Sequence, residues 1–106
     1  MLIATTENVA GHNTVKTLGA CFGIVVRSRG IGPNFMASLR SIVGGEVTQY
    51  TQMLQETRTV AMRRLAEHAA QMGGNAVVMM RFDSSEMAQT MSEIVAYGTA
   101  VVVVPA

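Results

Sequence analysis

The side chains able to hold a soft metal are few: Cys21, His12, His68 and nine methionines. A heavy-metal site needs several thiolate, imidazole or carboxylate donors converging on one point, and the chain has no CxxC, HxH or HExxH spacing. His12 and Cys21 fall on what read as neighbouring β segments, so the two could face each other as a partial metal site, completed by copies from other subunits. The competing and stronger reading makes Cys21 a buried small hydrophobe, as free cysteines commonly are, and His12 a turn residue. His68, beside Glu67 in the C-terminal half of a helix, reads as a solvated residue that suits the helix dipole. Met79 and Met80 alternate across a strand and cannot share one Cu(I) ion. With Met87 and Met91 they read as adaptable core filling.

A second set of residues suits an anion. Arg58 follows Tyr50 by eight positions, about two helical turns on the same side. With Tyr97 these residues would line a polar, ligand-binding pocket for a carboxylate or phosphate; the alternative is an intersubunit hydrogen bond and salt bridge. The seven Asp and Glu residues form no evident acid–base pair, and no serine sits in a nucleophile elbow. The sequence therefore argues more for binding than for an enzyme. Gly44-Gly45 has neither the lysine nor the GxGxxG spacing of a phosphate loop, and Glu46 would repel an anion. The pair reads as a joint, Gly44 ending one helix and Gly45 admitting the turn into the next.

The elements that must position these groups alternate plainly. "MLIATT" reads as a short first strand, a polar turn surrounds Gly11, His12 and Asn13, and "ACFGIVVR" at 20–27 is a stronger strand. Pro33 then breaks the strand pattern, and Asn34 can cap a short helix over 35–43. After the glycine joint, Val47, Tyr50, Leu54, Ala61, Leu65, Ala69 and Met72 make one continuous stripe along a long helix, which Gly73 and Gly74 end as a cap pair. "NAVVMMRFD" at 75–83 and "IVAYGTAVVVV" at 94–104 read as strands, with "SSEMAQTMSE" between them as an exposed loop. The last strand is apolar on both faces, Gly98 lying within it, which predicts helices on one side and a partner subunit on the other. The expectation is one α+β domain over 1–106, an antiparallel sheet on one long and one short helix in the order ββααββ.

Composition narrows the function classes. With 106 residues and 49% apolar positions, any enclosed cleft would need a second subunit. A net charge of +1 with scattered Lys and Arg gives no face for nucleic acid. No apolar run approaches the roughly 20 residues that span a bilayer, "AVVVV" at 100–104 being of five residues. A single cysteine and no leader pattern suggest the cytoplasm.

"IVGGE" followed by Tyr50, the helix from Arg58 to Met72 with its "RxxAxxxLxxxA" pattern, "GGNAVVMMRFD" and the terminal "YGTAVVV" together resemble the YbjQ-like family of small bacterial proteins, which carries a heavy-metal-binding label. The resemblance covers nearly the whole chain. It implies a dodecin-subunit-like fold with subunits closing into a homopentameric ring, and a role that the metal label leaves open. Where members often begin the first helix with Arg-Asp, this chain has Pro33-Asn34, so a role resting on that charge pair does not carry over.

Overall fold

The computed structural model describes residues 1–28, 48–88 and 91–106. The expected helix at 35–43, Pro33-Asn34 at its start and the Gly44-Gly45-Glu46 joint lie outside the described residues. The described elements are β1 (Leu2–Ile3), β2 (His12–Ser28), α1 (Thr48–Gln71), β3 (Ala76–Ala88) and β4 (Met91–Pro105), and the four strands form one sheet in the order β1-β3-β4-β2.

Three expectations are corrected. The sheet is mixed, because β1 pairs parallel with β3 (Leu2↔Ala76, Ile3↔Val77) while the other ladders are antiparallel. A strand that precedes the helix and one that follows it run the same way through that crossover. Next, His12 and Asn13 begin β2 rather than a turn, pairing with Pro105 and Val104. Finally, the supposed loop continues the β3–β4 hairpin, with Ser84↔Ile94, Ser85↔Glu93 and Glu86↔Ser92 in register. Ser84 and Ser85 are exposed, so the hairpin there is polar because it is wet, and polarity alone imitated a loop.

The helical stripe is real where it is described: Ala61, Leu65 and Ala69 are fully buried, and Met72 packs against them. Thr57 completes the row one turn earlier, its hydroxyl donating to the Met53 carbonyl at 2.8 Å, which makes a buried threonine tolerable. The helix stops where Gly73 takes φ 94°, with Gly73 N–H on the Ala70 carbonyl and Gly74 N–H on that of Ala69. The next residue, Asn75, uses its side-chain amide as a short stretch of strand, donating to the Val103 carbonyl and accepting the Val103 N–H, both at 2.8 Å.

The main core lies between α1 and one face of the sheet, here the inner face, and comprises Cys21, Val25, Val77, Met80, Ala96 and Ala100 against Ala61, Leu65 and Ala69. On the outer face, a smaller cluster of Ala76, Val78, Val101 and Val103 is covered by Val9. Gly23 marks where α1 crosses β2: a Cβ there would overlap the Ala61 carbonyl and the Leu65 nitrogen.

Candidate functional site

The structure separates the expected metal pair. His12 and Cys21 lie nine positions apart on the same strand, β2, roughly 30 Å at about 3.3 Å per residue, so they do not face each other. The error came from splitting one long strand into two segments. Cys21 is buried on the inner face, its thiol donating to the Gly98 carbonyl at 3.6 Å, and burial pushes the thiol pKa up. The thiolate that a metal requires is thus disfavoured. His12 Nδ1 lies 3.0 Å from the Ala10 carbonyl, and His68 Nδ1 accepts the Phe22 N–H at 2.9 Å. Among the described residues no three His, Cys, Asp or Glu side chains group as a metal site. Both histidines and the one cysteine are described and lie apart, so among the described residues of one chain the donor set does not fit a heavy-metal ion.

The expected anion pocket is also divided. The Arg58 guanidinium sits 5.5 Å from the centroid of the Phe82 ring, a cation–π contact, and Phe82 packs against the inner core in register with Ala96. Tyr97 follows Ala96 and, by strand alternation, projects from the outer face, paired with Phe22 and Arg81. Arg58 and Tyr97 of one chain therefore serve opposite faces; Tyr50 is in the first turn of α1, its side chain outside the description. A shallow groove of about 660 Å³ does lie between β2 and α1, lined by Arg27, Gln52, Gln55, Glu56, Thr59 and Val60. It is open and lined mostly by polar residues, and it contains none of the expected pocket residues.

Two features are more developed. Along the outer edge of β2, Arg64 donates to the Ile24 carbonyl and His68 accepts the Phe22 N–H, at 2.6 and 2.9 Å. These side chains, one helical turn apart, satisfy backbone groups that an edge strand would otherwise present. The His68 and Phe22 rings also meet, with centroids 6.4 Å apart. Beyond that edge, the outer face of the sheet displays Phe22, Ile24, Val26 and Tyr97, 47%, 48%, 49% and 39% exposed.

Gly98 faces a bulge in β3, where Met79 and Met80 together stand opposite it; a Cβ on Gly98 would meet Val77 Cγ1 at 2.7 Å and the Val78 carbonyl at 2.9 Å. Sequence reading took Gly98 as structural but passed over Gly23, Asn75 and Arg81. The Gly23 signal was available, a glycine inside a β-branched run, which marks close backbone approach. The roles of Asn75 and Arg81 rest on contacts with distant segments that no local pattern encodes.

Residues 1–104 match the YbjQ family model, described as "Putative heavy-metal-binding". A UPF0145 protein of Bradyrhizobium sp. strain ORS 278 is 68% identical over 106 residues, covering all of this chain and 96% of that protein. UPF0145 proteins of Methanoregula boonei and Picrophilus torridus are 52% and 51% identical, each covering 99% of this chain and 88% and 89% of theirs. These relatives are archaeal, so the likeness is not confined to bacteria. A crystal structure of a DUF74 protein of unknown function from Pediococcus pentosaceus superposes with a TM-score of 0.66, covering 98% of both chains at 13% identity. That likeness concerns fold alone.

Proposed function

Because the chain belongs to the YbjQ family, whose model spans residues 1–104, we propose that it works as a homo-oligomeric binding protein, a dodecin-subunit-like ring of five copies that holds a small ligand between subunits. The observation that carries this reading is the display of Phe22, Ile24, Val26 and Tyr97 on the outer face, while the inner face of the same strands carries Cys21, Gly23 and Ala96. Large apolar side chains turned to the outside of a small sheet are suited to burial by another subunit. The family's metal label enters only through such an assembly. With Nδ1 engaged by Ala10, His12 keeps Nε2 as one donor per subunit, and an ion would need several copies. No described helix is long and apolar enough to cross a membrane, and a free thiol at Cys21 suits the cytoplasm.

An anionic metabolite between subunits is the second reading, favoured by Arg58, which rests on Phe82 with no carboxylate partner among the described residues. Native mass spectrometry of metal-free protein, followed by titration with Zn²⁺, Cu⁺ and Ni²⁺, tests both. A discrete oligomer is expected, and a monomer at micromolar concentration overturns the proposal. Metal bound in fixed proportion to subunits supports the family label; an oligomer that takes none directs the search to organic anions, with Arg58→Ala as the discriminating variant.

A further inference from the structure

Among the described residues, Met79 is the one non-glycine with positive φ, 55°. L side chains enter this left-handed region at a cost, and glycine is the least strained occupant of such a bulge position. Met79 N–H donates to the Thr6 carbonyl at 3.1 Å, and Met80 N–H to that of Ala4 at 3.0 Å. Arg81 folds back to donate to the Thr5 and Met80 carbonyls, each at 2.8 Å. The bulge shifts the alternation of β3 so that Met80, rather than Met79, enters the inner core. That task is the backbone's, and glycine at 79 would perform it without strain. The Met79 side chain belongs to neither core cluster and is 44% exposed.

Large and apolar, it stands where a smaller residue would cost less. Its neighbour Arg81 is in register with Tyr97 and, one strand further, with Phe22. Met79, Tyr97, Phe22, Ile24 and Val26 are each more than a third exposed, and large apolar side chains left on the surface in this number often mark an interaction site.

We infer that Met79 is an anchor of the contact between copies of this chain, its strain tolerated in the subunit for the surface it buries in the assembly. This rests on the self-association proposed above. A second copy suits the face because Arg81 alternates there with Asp83, and Glu93 lies two residues from Val95 on the paired strand. A rim of both signs can meet its own kind, whereas an anionic membrane would call for one sign.

The test compares wild type, Met79→Gly and Met79→Ala by sedimentation equilibrium, and reads urea midpoints in an Ile24→Asp background that removes the contact. Met79→Gly is expected to weaken assembly about tenfold while raising the urea midpoint of the separated subunit, and Met79→Ala to weaken assembly without raising it. Wild-type association in both variants would overturn the anchor and leave the oligomer standing. A monomeric wild type, or one that binds anionic vesicles instead of itself, would overturn both.

Discussion

The two faces of the β2–β4 ribbon differ in what covers them. Facing α1 are Cys21, Gly23, Ala96 and Ala100; on the other side of the same strands are Phe22, Ile24, Val26 and Tyr97. The helix backbone comes so close at Gly23 that a Cβ would not fit beneath it, while Val25 further along the same strand still packs into the inner core. Fully burying a large apolar side chain is worth roughly 1.5–3 kcal/mol, and each of the four on the outer face is still more than a third exposed. The inner face thus accounts for how the subunit holds together, and the outer face is what the proposed association would bury, the gain being partly offset by the cost of association.

The sharpest way to break the comparison is to remove the close approach. Gly23→Val drives its Cβ into the Ala61 carbonyl and the Leu65 nitrogen, so α1 must lift from the sheet. A loss of roughly 3 kcal/mol or failure to fold is expected, read by urea unfolding. A variant as stable as wild type would mean that helix and strand do not meet there. On the outer face the opposite outcome is expected. Ile24→Asp should leave the stability of the separated subunit within about 0.5 kcal/mol while abolishing the oligomer in sedimentation, so that one strand carries two adjacent residues with unrelated phenotypes.

Asn75→Ala tests the seam between the inner core and the outer cluster. It removes both 2.8 Å bonds to Val103 and leaves a part-buried carbonyl and N–H unpaired, which costs about 2 kcal/mol. Asn75→Asp restores the acceptor but not the donor, and should recover part of the loss.

These residues also mark how far the fold was legible. The helix could be read because its apolar stripe repeats every three or four residues and ends in Gly73 at positive φ, signals that are local. The hairpin end was missed because exposed Ser84 and Ser85 have the composition of a loop even when paired. The metal and anion sets do not come together within one chain for another reason: residue types were listed without geometry, which puts Cys21 and His12 nine positions apart on one strand and sets Arg58, over Phe82, on the face opposite Tyr97. The two-faced apolar character of β4 was visible, but Val101 and Val103 turned out to be covered by Val9, within the same chain. Only the Tyr97 half of that surface remains exposed to a partner.

A smaller effect concerns the inner face at high pH. Burial raises the Cys21 pKa, so the folded protein keeps its thiol proton above the ordinary value of about 8.5. The unfolded chain loses that proton first. The contribution of the neutral thiol is complete below pH 8.5 and disappears as pH rises toward the folded value. Stability of wild type should therefore fall relative to Cys21→Ala as pH rises above the unfolded thiol's value toward the higher folded one, and native Cys21 should resist iodoacetamide until urea is added. Rapid alkylation of the folded protein would show that the inner face is open.

The smallest effect belongs to the edge, where the two faces meet. Arg64→Ala and His68→Ala each release one backbone group of β2, the Ile24 carbonyl or the Phe22 N–H. Both groups then face water, so each loss is about 0.5 kcal/mol and global unfolding will hardly register it. Amide exchange does, because His68→Ala takes away the acceptor of the Phe22 N–H while leaving the ladder to β4 intact. Exchange at Phe22 should quicken in His68→Ala and stay unchanged in Arg64→Ala, whose bond is to a carbonyl. Equal protection in both variants would mean that the edge of β2 is covered by something other than these two side chains, and a second subunit would then be the covering to look for.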